Sequence, residues 1–320
     1  MTNQPETIKP KSRLASILSA GHFAVAAELS PPHGIDLDII EKEANTLKGY
    51  TDVVNVTDNQ AASVRMASIP VSAILIQMGL EPVSQMTCRD RNRLAIQADL
   101  LGAAALGVRN VLCISGDHGQ WGDHPHAKNV YDVDSIQLVR IVRNMVQNGC
   151  LDNGREISPR PDFFIGAVAN PFAPPYDYRP YRLAKKVAAG AQFIQTQLIF
   201  NLDRFRDYMA QVRDLGLHEK VHILAGVGPL KSARMAEFMA EKVAGMDVPE
   251  HIIQRMEKTP KAAQPTEGLR ICSEIIEQVK EIPGVAGVHI MAVLWAEAVP
   301  EIVTQAGLYP RPNLSDFSGS

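Results

Sequence analysis

The stretch LAKKVAAGAQFIQTQLIF, from Leu183 to Phe200, contains one helix-to-strand unit of this protein. Its first half is rich in Ala and Lys, which favour a helix. Gly190 stands where a helix C-cap is expected. The apolar run that follows, Gln192–Phe200, is typical of a buried strand. The stretch therefore predicts a helix over Tyr181–Ala189 that leads directly into a strand.

Similar apolar runs recur along the chain, and each is followed by a helix-like stretch. The strand candidates are Phe23–Ser30, Asp52–Thr57, Pro82–Cys88, Arg109–Ser115, Asp162–Ala169, Gln192–Phe200, Val221–Gly228 and Val285–Val293. Their starts lie 29, 30, 27, 53, 30, 29 and 64 residues apart. A spacing of about 30 residues matches one βα unit. The two long steps predict insertions, around 116–161 and 229–284.

The segments between these runs have the composition of helices. The helix candidates are Leu37–Leu47, Arg91–Leu106, Ser135–Asn148, Tyr181–Ala189, Leu202–Leu215, Ser232–Val243 and Pro265–Val279. The alternation predicts an α/β fold, a single-domain (β/α)8 TIM barrel over residues 23–309. A doubly wound open sheet is the alternative, but no G-x-G-x-x-G or Walker A motif supports it. We expect residues 1–22 to form an N-terminal extension with a helix, and 310–320 a frayed tail.

Composition excludes several classes of protein. The 320 residues suit either two domains or one barrel, and 46% hydrophobic with 21% charged residues is typical of soluble globular chains. A net charge of −3 argues against a nucleic-acid partner. The absence of an apolar run of about 18 residues argues against a membrane span. The N-terminus has no apolar signal core, and the four cysteines form no close pair, so we expect reduced thiols, a cytoplasmic location and no metal site.

In a barrel of this kind the active site lies at the carboxyl ends of the strands. Glu28 lies inside the first apolar run, where burial would raise its pKa and let it act as a general acid. A structural pairing of Glu28 with an Arg or Lys is an equal alternative at this point. Asp117 follows Ser115 and Gly116 after the fourth predicted strand, and the glycine permits close backbone approach. For Asp117 the functional interpretation is favoured.

Two further strand ends carry polar residues. Thr57 ends the second predicted strand and is a candidate ligand contact, whereas the neighbouring Asp58 and Asn59 could equally cap a helix. Arg89 follows the third strand together with two more arginines at the start of a helix. Arginines at a helix N-terminus suit a phosphorylated ligand, but they could also face solvent.

The second half of the chain adds amide and basic candidates. Gln195 and Gln197 are two residues apart, which predicts that they share one face of a strand and could read an amide-like heterocycle. Asn170 opens a proline-rich loop after the fifth strand. Arg182 and Lys186 follow on a helix, where they could meet an anionic ligand or face solvent.

A long loop after the fourth predicted strand holds His118, His124 and His126. Histidines can bind a metal ion, but no cysteine or carboxylate pattern accompanies them. We therefore expect a mobile lid here rather than a metal site.

The strand ends taken together resemble the methylenetetrahydrofolate reductase family. The matching pieces are AELSPP, NVTDNQ, MTC, ISGD, LAKKVAAGAQFIQTQLIF and AGVGP, in the family's order, from about Phe23 to about Gly307. The resemblance implies a flavoprotein on a (β/α)8 barrel. Such enzymes reduce 5,10-methylenetetrahydrofolate to 5-methyltetrahydrofolate in one-carbon metabolism. The resemblance favours FAD over FMN as the cofactor.

The resemblance also implies roles for individual residues. Glu28 matches the family's general acid, which would protonate a folate nitrogen as a five-membered ring opens. Asp117 matches the acid beside the flavin and the pterin. Gln197 matches the pterin-contacting glutamine, with Gln195 as its neighbour on the strand. Thr57 and Lys186 match flavin-binding positions.

Some positions depart from the family's pattern. Gln85 replaces a histidine, Ser115 an arginine, Asn170 a tyrosine and Trp295 an arginine. Arg89 could replace a lost positive charge. The expected flavin-binding residues are therefore Thr57, Arg89, Ser115, Gly116, Asp117, Asn170, Arg182 and Lys186.

The electron donor and the partners stay open at this stage. NAD(P)H is one donor, and a reduced iron–sulfur partner subunit or ferredoxin is the other. Any cluster would be on another chain, since no cluster-ligand pattern is present here. We expect a homo- or hetero-oligomer. The alternative functions are a pterin-binding methyltransferase that serves a corrinoid protein, and a non-catalytic barrel subunit.

Overall fold

The barrel is closed by eight parallel strands. A computed structural model describes residues 11–243 and 245–313. In chain order the strands are β1 Ala24–Leu29, β2 Val53–Val56, β3 Pro82–Thr87, β4 Asn110–Ile114, β5 Phe164–Ala169, β6 Phe193–Leu198, β7 His222–Val227 and β8 Val285–Ile290. Each strand pairs with the next, and β8 pairs with β1. The predicted (β/α)8 barrel is confirmed, and the open sheet is excluded.

Helices surround the barrel. They are α1 Arg13–Ser19, α2 Leu37–Leu47, α3 Ser68–Gln77, α4 Arg93–Ala105, α5 Ser135–Arg143, α6 Arg179–Ala189, α7 Leu202–Asp214, α8 Ala233–Lys242, α9 Glu250–Lys258, α10 Gln264–Lys280 and α11 Ala298–Gln305. Every predicted helix is present, although the one expected to reach Asn148 continues past Arg143 as a π-helical turn. None of the helices in the described residues is long and apolar enough to cross a bilayer.

The prediction missed α3, α9 and α11. The sequence of α3, SIPVSAILIQ, is apolar on nearly every side and therefore shows no single apolar stripe. Helix α9 lies within the insertion that was expected around 229–284, and α11 follows the last strand.

An apolar layer fills the barrel interior at the amino-terminal end of the strands, which we call the bottom. Phe164 and Phe193 stack there with their ring centroids 5.1 Å apart. Gly166 makes room for them, because a Cβ at this position would lie 2.2 Å from the ring of Phe193. Leu14 and Ile17 of α1 pack against this layer and close the amino-terminal end of the barrel.

An ion-pair network ties both ends of the described chain to this bottom face. The carboxylate of Asp52, fully buried, binds Arg311 at 2.6 Å and Arg13 at 3.3 Å. Arg13 also donates a hydrogen bond to the carbonyl oxygen of Pro312 at 2.7 Å. The expectation of a tail frayed from residue 310 is therefore wrong for Arg311. Residues 314–320 of that tail lie outside the described residues.

Candidate active site

A cavity of about 480 Å³ opens at the carboxyl ends of the strands. This volume is in the range of small-molecule sites. Nine of the eleven predicted site residues line it: Glu28, Ser115, Gly116, Asp117, Asn170, Arg182, Lys186, Gln195 and Gln197. Polar residues that the sequence argument did not select also line it: Gln85, Ser135, Arg179, Thr196 and His289.

Glu28 on β1 is the buried acid of this cavity. Its side chain is 18% exposed, and burial raises its pKa from 4.5 to about 7. Among the described residues its carboxyl group has no hydrogen-bond partner. Its nearest titratable neighbour is His289 on the adjacent β8, with Oε2 and Nε2 separated by 3.9 Å. Glu28 can therefore hold a proton near neutral pH and offer it to a ligand.

His289 is the main residue that the sequence argument missed. Burial lowers its pKa to about 3, so the imidazole is neutral at physiological pH. Since Glu28 keeps its proton below about pH 7, the two groups form an uncharged pair rather than a salt bridge in that range. The Nε2 atom of His289 is buried and has no hydrogen-bond partner among the described residues. Strand alternation alone could have found His289, because it places this residue and Met291 on the same face.

Helix α6 supplies a positively charged wall. Arg179, Arg182 and Lys186 are spaced three and four residues apart, which places them on one helix face, and all three line the cavity. Lys186 donates a hydrogen bond to the carbonyl oxygen of Val168 at 2.5 Å. Burial, with a smaller effect from Arg182, lowers the pKa of Lys186 to about 8. This wall suits an anionic group, whose charge would favour the protonated lysine.

The guanidinium group of Arg182 is the available charge in that wall. Arg179 already donates hydrogen bonds to the carbonyl oxygens of residues 173 and 174. Arg182 is half-buried, and within the described part of the chain it has neither a hydrogen-bond partner nor an acidic partner. An anionic ligand can therefore bind Arg182 without displacing a protein contact.

Asp117 lies at the exposed rim of the cavity and is held by the loop that follows β2. Its Oδ2 atom accepts a hydrogen bond from the backbone N–H of Ala61 at 3.0 Å. The preceding Gly116 has φ +82°, and a Cβ there would lie 3.1 Å from the side chain of Thr87. Only glycine fits this close approach without strain. The backbone thus fixes the carboxylate of Asp117 at the mouth.

Arg89 and Thr57 do not lie on the cavity wall. The guanidinium of Arg89 is buried, pairs with Asp90 at 2.7 Å and donates to the carbonyl oxygens of Asn59 and Asp117. It therefore joins the loops that follow β2, β3 and β4. The hydroxyl of Thr57 is buried and bonds to Gln60.

The two glutamines of β6 differ in what they can do. Gln195 exchanges two hydrogen bonds with Asn55 across the barrel, at 2.6 and 3.1 Å, so its amide is already paired. The register of β6 against β7 shifts between Gln195 and Leu198. Gln197 uses its Oε1 atom to accept from the N–H of Leu198, and its NH₂ group has no partner among the described residues. Gln197 is therefore the glutamine that can bind a ligand.

Gln85 is a second available amide in the cavity. It lies on β3, is 7% exposed, and its side chain makes no hydrogen bond within the described ranges. The sequence alone shows Gln85 only as a departure from the family pattern. The free amides of Gln85 and Gln197 give the cavity donors and acceptors for a polar heterocycle.

Two histidines of the loop after β4 bond to neighbouring residues of the chain. His118 accepts a hydrogen bond from the N–H of Gln120, and His124 bonds to Asp123 at 2.7 Å. Asp123 also accepts from the N–H of Val64 at 3.0 Å. In residues 11–243 and 245–313, no group of three or more His, Cys, Asp or Glu side chains could hold a metal ion.

Two known proteins are similar to this chain over most of its length. A probable methylenetetrahydrofolate reductase (NADPH) of Caenorhabditis elegans is 23% identical over 93% of this chain and 44% of its own length. Methylenetetrahydrofolate reductase 2 of Schizosaccharomyces pombe is 25% identical over 80% of this chain and 41% of its own length. The chain thus spans less than half the length of these two relatives.

A solved structure shows the same fold at low sequence identity. An uncharacterized protein from Clostridium thermocellum, described as binding two copies of 5-methyl-5,6,7,8-tetrahydrofolic acid, has a TM-score of 0.61 at 13% identity. The match covers 92% of this chain and 98% of that chain. The family model of methylenetetrahydrofolate reductase matches residues 13–307. Since that match includes the whole barrel, the chain belongs to the methylenetetrahydrofolate reductase family.

Proposed function

We propose that this chain reduces 5,10-methylenetetrahydrofolate to 5-methyltetrahydrofolate, with a flavin bound in the cavity of about 480 Å³. Family membership supports the reaction class. The observation that carries the proposal is Glu28, a carboxylic acid whose pKa of about 7 lets it keep a transferable proton. A proton donor of this kind is what opening of the folate's five-membered ring requires.

The positive charges on the cavity wall support a flavin with an anionic tail as the ligand. We propose FAD rather than FMN as this flavin, in keeping with the family resemblance. Arg182 and Lys186 provide positive charge for phosphate groups or for a negatively charged isoalloxazine ring. Asn170, Ser115 and Gly116 also line the cavity. When bound, the flavin supplies the hydride of the reaction.

The chain's own residues handle the proton and the developing charge. Glu28 donates its proton to the folate nitrogen as the carbon–nitrogen bond of the five-membered ring breaks, and this leaves an iminium cation at the one-carbon unit. The hydride then adds to that carbon and gives the methyl group. Asp117 stabilises the cation from the rim, because one of its oxygens is not used by Ala61. The free NH₂ group of Gln197 binds the pterin edge.

Protonation of Glu28 sets a direction for the pH dependence. The proton is lost as pH rises through about 7, so the rate of folate reduction falls above that pH. His289 does not compete for this proton, because its own pKa is about 3. Because the imidazole of His289 is neutral, it places no positive charge next to Glu28. A positive charge there would lower the pKa of Glu28.

For the electron donor, we propose a reduced iron–sulfur protein. No dinucleotide motif is present in this sequence, and the described residues hold no group of side chains that could bind a cluster, so the proposal places the cluster on a partner protein. The test mixes the purified protein anaerobically with NADH or NADPH. Flavin that keeps its absorbance with both nucleotides, and bleaches with a reduced ferredoxin, supports this donor. Rapid bleaching by either nucleotide overturns it.

The experiment for the main proposal combines a visible spectrum with the variant Glu28→Gln. The purified protein should show flavin absorbance bands, whereas a corrinoid-pathway methyltransferase or a non-catalytic subunit would be colourless. The variant should retain the flavin and lose about 10²–10⁴ in the rate of 5-methyltetrahydrofolate oxidation. The control variant is Glu297→Gln, because the side chain of Glu297 is exposed. Gln195→Glu cannot serve as a control, because it would break the hydrogen bond between Gln195 and Asn55. A colourless protein, or full activity of Glu28→Gln, contradicts the proposal.

A further inference from the structure

A second cavity, of about 500 Å³, lies along α7. Positions of α7 that repeat every three or four residues form one of its walls: Asp203, Arg204, Asp207, Tyr208 and Gln211. The volume is in the range of small-molecule sites. We call this cavity the α7 pocket. Among the described residues, none that lines it also lines the cavity of Glu28.

The acidic side chains of the α7 pocket give it an excess of negative charge. Asp177, from the loop between β5 and α6, joins Asp203 and Asp207 of α7 in lining the pocket. Asp203 pairs with the exposed Arg206 at 3.0 Å. The carboxylates of Asp177 and Asp207 make no hydrogen bond or ion pair with any described residue. The pocket therefore offers two unpaired carboxylates to a ligand.

The positive charge of Arg204 does not offset these two carboxylates. Its guanidinium group forms an ion pair with Asp247 at 2.8 Å. The same group lies over the ring of Tyr176, 4.0 Å from the ring centroid. Arg204 is thus held by an acid outside the pocket lining and by an aromatic face.

The hydroxyl group of Tyr208 is a separate sign of a polar ligand. Tyr208 is 4% exposed, and its hydroxyl has no hydrogen-bond partner within residues 11–243 and 245–313. Burial raises the pKa of Tyr208, so the hydroxyl stays neutral and can both donate and accept. A buried hydroxyl without a partner costs folding free energy, which a polar ligand in the α7 pocket would recover. The amide of Gln211, one turn further along α7, is also unpaired in the described chain.

The layout of these groups suits an elongated ligand. Asp203 and Gln211 are eight residues apart on α7, which corresponds to about 12 Å along the helix. The carboxylates do not converge on one point, since the described residues contain no group of three acidic or other ligating side chains that could hold a metal ion. A ligand that spreads its positive charge along a chain matches this arrangement better than a compact cation.

We propose that the α7 pocket binds an aliphatic polyamine, a flexible chain with several protonated amines. Its ammonium groups pair with the carboxylates of Asp177 and Asp207, and one N–H donates to the hydroxyl oxygen of Tyr208. The phosphates of a flavin and the carboxylates of a folate carry the opposite charge, so the α7 pocket repels them. The site is therefore separate from the reaction proposed for the cavity of Glu28.

Isothermal titration calorimetry of the purified full chain with spermidine tests the proposal. One spermidine should bind per chain, and the affinity should fall between about 10 mM and about 150 mM salt, because salt screens the ion pairs. Asp207→Asn should weaken binding roughly tenfold or more, since it removes a charge-assisted hydrogen bond. Asp214→Asn is the matched control. Asp214 is an exposed aspartate of the same helix, and it does not line the α7 pocket.

The variant Tyr208→Phe separates binding from folding. It should weaken spermidine binding roughly threefold to tenfold, because the ligand loses a hydrogen bond. Its denaturation midpoint should stay the same or rise, because the hydroxyl has no partner within the described chain. A side chain with a purely structural role would not show this combination.

The other probes distinguish a polyamine from its rivals. Mg²⁺ at the same concentration should not displace spermidine, and equal displacement shows general attraction of cations and overturns the proposal. A tetralysine peptide carries the same amines as a lysine-rich partner protein. Binding of tetralysine without binding of spermidine overturns the free polyamine in favour of such a partner.

The variants can also overturn the proposal. It fails where spermidine does not bind the wild type, or where Asp207→Asn or Tyr208→Phe leaves the affinity unchanged. It fails equally where Asp214→Asn weakens binding as much as Asp207→Asn. Circular dichroism confirms that each variant is folded.

Discussion

Replacing Glu28 with Gln should make folding stability less dependent on pH. Below its ordinary pKa of 4.5, Glu28 is protonated in both the folded and the unfolded chain. Between 4.5 and about 7 the unfolded chain releases the proton and the folded chain keeps it, so the free energy of unfolding falls as pH rises. At about 1.4 kcal/mol per pH unit, the loss reaches at most about 3 kcal/mol above pH 7. Glu28→Gln removes this loss.

Urea unfolding of the wild type and the variant, at intervals between about pH 4 and about pH 8, measures the effect. The free-energy difference should move in favour of the variant by about 3 kcal/mol over that range. Glu297→Gln is a control of opposite sign, because hydrogen bonds from its own backbone N–H and from Lys42 lower the pKa of Glu297. A difference between wild type and Glu28→Gln that stays constant with pH refutes the assignment of Glu28 as a proton-holding acid.

Three further substitutions test other parts of the structure. Arg182→Ala should weaken flavin binding roughly tenfold or more without changing the fold, and equal retention of flavin in a fluorescence titration would contradict this. Arg311→Met should lower the free energy of unfolding by about 3 kcal/mol, because it removes one of the two arginines on the buried Asp52; an unchanged denaturation midpoint argues against that role. Asn55→Leu should lower the free energy of unfolding by about 1–3 kcal/mol, because it leaves the amide of Gln195 unpaired. An unchanged denaturation midpoint would contradict this.

The barrel could be predicted because each unit repeats the same local signals. The helix before Gly190 and the apolar run after it are visible within 18 residues, and the glycine has the positive φ that ends the helix. Helix α3 could not be predicted in this way. A helix recognised by a single apolar stripe needs a polar side, and α3 has almost none.

The sequence could predict where the candidate site lies. It could not predict which side chains of the site are paired with each other. The geometry of the fold places Glu28 and Asp117 at the same end of the barrel, whatever their partners. Which amide or guanidinium stays free depends on side chains from distant elements. Asn55 pairs with Gln195 from the opposite side of the barrel, and Asp90 occupies Arg89. Sequence spacing does not contain these contacts.

The contact between Arg13 and Pro312 has a consequence for engineering. It brings the two ends of the described chain together at the face of the barrel opposite the cavity, within a hydrogen bond of 2.7 Å. A short linker between them would therefore yield a circular permutant, with new ends cut into an exposed loop. Because Arg13 and Arg311 would keep their contacts with Asp52, such a permutant should keep the barrel closed, and the joined segment would lie on the side away from the mouth.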